Sequence, residues 1–196
     1  GVFYQSTDQD FVDQLKFNSD VIVGAPGLLA GTAALRDFTQ ESEALSVFGQ
    51  ATWNVSDNFR ATLGARYSYE EKEGSRSINI IPVDRGDAAR AAAAAPVWEA
   101  FGVNNNQFSS HDLEGDRTES AFTPLVNVQY DWNEDTMLYA SYTTGFKAGG
   151  YSTRANNTGS FEFEEEQATS YELGAKSTLA GGAAELNLAY FYTEYE

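Results

Sequence analysis

The stretch Phe59-Arg60-Ala61-Thr62-Leu63-Gly64-Ala65-Arg66-Tyr67-Ser68-Tyr69 decides the fold. Successive side chains of a strand point to opposite faces. One face therefore carries Phe59, Ala61, Leu63, Ala65, Tyr67 and Tyr69, and the other Arg60, Thr62, Gly64, Arg66 and Ser68. Residues 170–179 repeat the division, with Tyr171, Leu173, Ala175 and Leu179 against Ser170, Glu172, Lys176 and Thr178. Residues 184–193 repeat it again, with Leu186, Leu188, Tyr190 and Tyr192 against Glu185, Asn187 and Thr193. Each segment has one uncharged face that ends in aromatic rings. An Arg or Lys facing lipid at the midplane of a membrane barrel costs about 2–4 kcal/mol, which is the pressure that keeps such a face clean. The pattern predicts an all-β fold, a section of an antiparallel transmembrane β-barrel.

Composition agrees. The longest apolar stretch, Ala91 to Trp98, is Ala-rich and broken by Pro96, far short of the ~18 apolar residues of a spanning helix. A barrel needs no such run, because only alternate residues meet lipid. The absence of Cys excludes a disulfide framework and any thiolate metal site. A net charge of −17 excludes nucleic acid as a partner, since phosphate binding needs clustered Lys and Arg. The acid falls largely between the strand patterns, at Glu70 to Glu73, Asp112 to Glu119 and Glu162 to Glu166.

About seven strands are expected, over residues 1–5, 43–55, 59–72, 121–132, 136–147, 169–179 and 183–195. Ser56-Asp57-Asn58, Asn133-Glu134-Asp135 and Ala180-Gly181-Gly182 make short turns, with residues that tolerate turn backbone angles. The connections over 6–42, 73–120 and 148–168 are long. Strict alternation of long and short is the rhythm of a membrane barrel with periplasmic turns and long extracellular loops. Trp53, Phe59, Tyr130 and Trp132 beside the short turns, and Tyr67, Tyr69, Tyr190 and Tyr192 at the far strand ends, suit two interfacial belts. In 136–147, Leu138, Ala140 and Tyr142 are expected outward and Met137 and Tyr139 inward, with inversion left open. Phe48 falls on the inner set of its strand, and Pro124 must sit where no ladder donor is needed. A loop helix is expected over Asp87 to Ala95, ending before Pro96. The chain opens on Gly1-Val2-Phe3-Tyr4 without an initiator Met and stops at Glu196 within a strand pattern, so a piece of a longer protein is expected.

Little chemistry stands out. His111-Asp112-Leu113-Glu114-Gly115-Asp116 alternates carboxylates that suit a hard cation such as calcium, yet lacks the full spacing of a calcium loop. A solvated acidic loop is the favoured reading there, and also at Glu162, Glu164, Glu165 and Glu166. No nucleophile elbow, zinc helix or phosphate loop is present, so no catalytic, metal or cofactor residue is assigned and the chain is not read as an enzyme. The inward charges Arg60, Arg66, Glu172, Lys176 and Glu185 need partners, a water-filled lumen or a plug to face.

Leu138-Tyr-Ala-Ser-Tyr-Thr-Thr-Gly-Phe-Lys-Ala-Gly-Gly-Tyr151 resembles a signature stretch in the barrel of TonB-dependent outer-membrane receptors. Tyr171-Glu-Leu-Gly-Ala-Lys-Ser177, Val47-Phe-Gly-Gln-Ala-Thr-Trp53, Leu63-Gly-Ala-Arg-Tyr67 and Phe122-Thr-Pro-Leu-Val126 resemble further strands of that family, in its order. The resemblance implies a plugged barrel of about 22 strands. Residues 1–196 would be a partial barrel domain, without the plug and the remaining strands. It also implies an outer-membrane receptor of a Gram-negative bacterium. Such a receptor binds a scarce nutrient, most often a ferric siderophore, and imports it with energy that the TonB complex passes through the plug. Lipid of the outer membrane would be its other partner. No ligand-contact residue carries over, and substrate-binding residues stay unknown. A passive porin and a secreted soluble carbohydrate-binding β domain are the alternatives. An isolated seven-strand sheet has two open edges, so the 196 residues are not expected to fold stably by themselves.

Overall fold

A computed structural model describes residues 1–16, 32–82, 89, 92, 93, 96, 111–155 and 157–196. The strands are β1 (Val2–Lys16), β2 (Thr32–Ser56), β3 (Phe59–Pro82), β4 (His111–Asn133), β5 (Thr136–Lys147), β6 (Gly150–Tyr151), β7 (Glu162–Phe163), β8 (Glu166–Leu179) and β9 (Ala184–Tyr195). A short helix α1 (Thr158–Phe161) precedes β7, and a 3₁₀ turn (Ala180–Gly182) joins β8 to β9. The seven expected strands form one antiparallel sheet in the order β1-β2-β3-β4-β5-β8-β9, with β1 and β9 as open edges. β6 and β7 pair separately as a small ribbon.

Each sheet neighbour follows in sequence apart from the ribbon inserted between β5 and β8, and short turns join β2 to β3, β4 to β5 and β8 to β9. Two-residue turns at Asp57-Asn58 and Glu134-Asp135 close two hairpins, each beside a β-bulge, at Asn54/Ser56 and Asp131/Asn133. The third turn runs through left-handed backbone at Ala180 (φ 53°), Gly181 (φ 66°) and Gly182 (φ 95°). Two glycines there carry the conformation that costs an L side chain roughly 1–2 kcal/mol.

The register carries the alternation across the sheet. Val47, Tyr67 and Phe122 lie opposite one another, as do Tyr142, Tyr171 and Tyr192. These rows, with the exposed Leu63, Leu173 and Leu188 and the two aromatic belts, make up the outer face. Arg60, Thr62, Arg66 and Ser68 stand on the opposite face with Gln129, Asn127 and Thr123 across from them. Leu138, Ala140 and Tyr142 are paired with outward Tyr130, Val128 and Val126, which settles β5 as not inverted. The β4–β5 ladder begins at Leu125, one residue past Pro124, so the missing donor falls at the ladder's end.

The connections differ from the expectation. β2, β3 and β4 have 25, 24 and 23 residues, against 12 in β5 and β9. A barrel strand needs only ~9–11 residues to cross the membrane. Thus residues 6–16, 32–42, 73–82 and 111–120, expected in long loops, continue the sheet past the membrane. The polar–apolar alternation fades there because both faces carry charge, which hides the strand from a periodicity argument. Of the helix expected over 87–95, positions 89, 92 and 93 are helical. Position 96, expected to lie beyond the helix end, is helical as well; the other positions of that span lie outside the described residues.

Candidate functional site

Within the spanning part of the wall, most of the inward charges are partnered. Arg60 donates two bonds to Asp131, from Nη1 at 2.7 Å and Nη2 at 2.8 Å. Arg66 donates to Ser46 and Ser68 at 2.9 Å each, and its guanidinium lies 5.5 Å from the Phe3 ring and 5.9 Å from the Phe48 ring. Strand alternation turns Phe48 inward, opposite Arg66, and the cation–π contact gives it a partner there. Tyr139 donates to Glu172, while Lys176 stands 5.9 Å from the same ring. Glu185 lines a recess at the short-turn end with Asp131, Asp135 and Lys176.

The richer site is at the opposite, long-loop end. There β5 stops at Lys147 while β2, β3 and β4 run on, and the chain turns onto their inner face as a strap built from β6, α1 and β7. The strap is seated by an apolar cluster of Phe38, Leu113, Tyr151, Ala155 and Phe161, each at most 5% exposed. The Tyr151 and Phe161 rings stack at 4.9 Å. The Tyr151 ring lies over the opposed pair Gly74 and Gly115, and a Cβ at Gly115 would come within 2.6 Å of it. Only residues without side chains allow the ring this close to the wall.

Charge latches the strap at its edges. Lys72 donates to the Gly149 carbonyl at 2.7 Å, and the Gly149 amide donates to Glu119 at 2.9 Å. The Gln40 side chain accepts from the Tyr151 amide at 3.3 Å. Arg117, 8% exposed, pairs with Glu119, with Glu162 at 3.1 Å, and with Glu164 and Glu165 at 3.5 and 3.7 Å. It also donates to the Phe163 carbonyl at 2.6 Å. Burial works to lower the Arg117 guanidinium, but the bond to Glu119 and the charges of Glu119, Glu162 and Glu164 together hold it above the ordinary arginine value. Burial raises the Tyr151 phenol above the usual tyrosine range, Glu162 adds to this, and Arg117 opposes it. The acidic run at 162–166, expected as a solvated loop, is therefore partly the counter-charge of a buried arginine.

Between the strap and the spanning part of the wall lies a recess of about 1020 Å³. Gln5, Gln40, Ser42, Arg66, Lys72 and Tyr151 are among its lining residues. It presents amides, hydroxyls, aromatic rings and cations together, a surface able to hold a bulky polar ligand.

The candidate cation motif does not assemble. His111 begins β4, where its backbone pairs with Ile78. Asp112, Glu114 and Asp116 stand on the outer face of that strand, spaced by two residues, or ~7 Å along the chain. Among the described residues no group of three or more His, Cys, Asp or Glu side chains is placed to hold a metal. An extended strand separates ligands that a loop would bring together. What sequence reasoning missed is the strap. Its only trace is the pairing of Gly74 with Gly115, which becomes visible once the β3–β4 register is known.

Comparison with known proteins places these features. All of residues 1–196 match the family described as "TonB dependent receptor-like, beta-barrel". The Metal-pseudopaline receptor CntO of Pseudomonas aeruginosa (strain UCBPP-PA14) is 30% identical over 90 residues, covering 46% of this chain and 12% of the relative. CntO of a second P. aeruginosa strain is 29% identical over the same extent. The crystal structure of the ferric yersiniabactin uptake receptor FyuA from Yersinia pestis superposes on all of this chain with a TM-score of 0.68 and 17% identity, covering 25% of that protein. The chain thus spans about an eighth of its curated relatives and a quarter of that solved structure.

Proposed function

Because the chain belongs to the TonB dependent receptor-like β-barrel family, we propose that it forms part of an outer-membrane receptor for a scarce metal chelate. A ferric siderophore is the foremost candidate ligand, and the TonB complex supplies the energy for import. On this reading residues 1–196 are one section of the barrel domain, and the plug and remaining strands belong to the rest of the receptor. The observation that carries it is the tall inner wall at the long-loop end. There a recess lined with amides, hydroxyls, cations and aromatic rings lies under an inward-folded strap. The names of the relatives support the ligand class: one is a receptor for metal–pseudopaline, the other takes up ferric yersiniabactin.

The outer face argues against a secreted soluble domain. Leu63, Leu173, Leu188 and Tyr190 are each at least 60% exposed, and an apolar surface of that extent aggregates in water. The test is uptake of radioiron presented in spent medium of the same strain. Disrupting the receptor gene, or the gene for TonB, is expected to reduce it strongly; unchanged uptake in both mutants rejects the reading. The coding region upstream of Gly1 separates receptor from porin. A signal peptide followed by a globular segment supports a plugged, energised receptor, and strand patterns running straight back to the signal peptide mean an open pore.

A further inference from the structure

Arg76 is the least comfortable side chain in the wall. It is 1% exposed on the inner face of β3, directly opposite Phe38 on β2 and Leu113 on β4, with Ile78 next along the same face. Its Nη1 donates to the Thr153 carbonyl of the strap, while Nε and Nη2 are buried with no partner among the described residues. Arg36 stands one diagonal position away, opposite Ile78. Its own carboxylate, Asp13, is taken up by two bonds from Arg36 at 2.7 and 2.6 Å. Among the described residues two guanidinium groups therefore share one carboxylate, and of the two it is Arg76 that is buried among apolar side chains. A buried cation left in that state is strongly unfavourable unless an anion completes it. Burial, and then the like charge of Arg36, pull the Arg76 guanidinium below the ordinary arginine value, against the opposing charge of Asp13.

We propose that Arg76, supported by Arg36, is a binding point for a carboxylate of the ligand, and that the Thr153 carbonyl occupies this point while the strap is docked. The strap carbonyl is a neutral acceptor making one bond. A carboxylate offers two oxygens and a full charge to the planar fork of donors on an arginine. A carboxylate in the carbonyl's place would bond Nη1 together with one of the two unpartnered nitrogens and neutralise the excess cation. The inference rests on the receptor reading above and narrows it to chelates that keep a free carboxylate.

The experiment uses the full receptor, purified in detergent, with citrate as the probe and sodium chloride at matched ionic strength as the control. Citrate is expected to raise the unfolding temperature of the wild type by mass action. Arg76→Lys keeps the charge without the fork and is expected to weaken the apparent citrate affinity about tenfold or more. Arg76→Met is expected to abolish the citrate effect while leaving the barrel at least as stable, because an apolar side chain suits the Phe38–Leu113 surround better. A citrate effect absent in the wild type, or equal in Arg76→Met, overturns the proposal. So does a receptor that fails to fold with Met at position 76, since that outcome makes Arg76 structural. Radioiron uptake separates the two levels. If gene disruption stops uptake but Arg76→Met does not change it, the receptor reading stands and the carboxylate site falls.

Discussion

The ring of Tyr151 occupies the space that a side chain on Gly74 would need, so an aromatic residue of the strap and a glycine of β3 are mutually exclusive with anything larger. The same ring lies over Gly115, directly opposite Gly74 on β4. Gly74→Ala is therefore expected to unseat the strap without disturbing the spanning strands. Arg154 is exposed within the strap, and limited trypsin digestion of the full receptor should cut after it several-fold faster in the variant. Equal cutting rates would show that the ring and the glycine do not hold the strap down.

The raised phenol of Tyr151 makes docking sensitive to alkali. With the folded value above the ordinary one, the undocked strap gives up its proton first and binds fewer protons at high pH. Docking strength is thus constant below about pH 10, the ordinary tyrosine value, and falls as pH rises beyond it. A phenolate absorbance titration of the receptor should lose one late-titrating tyrosine in Tyr151→Phe. If the two titration curves coincide, Tyr151 is not shielded.

Leu188 and Asn187 are sequence neighbours on opposite faces of β9, Leu188 opposite Ala175 and Asn187 opposite Lys176. Leu188→Arg should cost about 2–4 kcal/mol, the penalty for arginine against lipid near the midplane. Asn187→Arg, facing the lumen, should cost much less. Urea unfolding of the receptor in lipid vesicles measures both, and equal losses would contradict the facing of β9.

Asp8, Glu41, Glu73 and Asp116 form one row of directly opposed carboxylates across β1, β2, β3 and β4, on the outer face above the membrane. Like charges directly opposite one another destabilise a sheet. Glu73→Gln removes a charge with two such neighbours, Glu41 and Asp116, and is expected to stabilise the receptor modestly. The gain should shrink in high salt as screening sets in. A loss of stability at low salt would mean that the row is held by bound counter-ions.

The spanning part of the fold was legible because lipid enforces a simple rule: residues 59–69 keep every charge on one face, and that face is the inner one. Short turns such as Asp57-Asn58 were legible for the same local reason. What lay beyond was not. Above the membrane, water meets the outer face, and Glu71, Glu73, Glu114 and Asp116 replace the apolar residues that mark a strand. Residues 73–82 and 111–120 therefore read as loop although they form a regular ladder. The candidate site was hidden further still, since Arg76, Gly74 and Gly115 acquire meaning only through Tyr151 and Thr153, about 75 residues away from β3 in the chain.

The tall wall has a consequence for traffic at the cell surface. About 13 residues of β3 continue past the spanning part, which at ~3.4 Å per residue carries its end tens of ångströms beyond the lipid. Over that height the outer face of β2, β3 and β4 bears Glu41, Glu43, Glu71, Glu73, Glu114 and Asp116, whereas the inner face pairs Arg36, Lys72 and Arg117 with Asp13, Glu70 and Glu119. The outer side of these strands is thus acidic over that height, while the inner side holds both signs in paired form. A negatively charged solute is turned away from the flank and meets a charge-compensated surface on the inner side. Exclusion from the flank is written into the field of the wall before any contact is made.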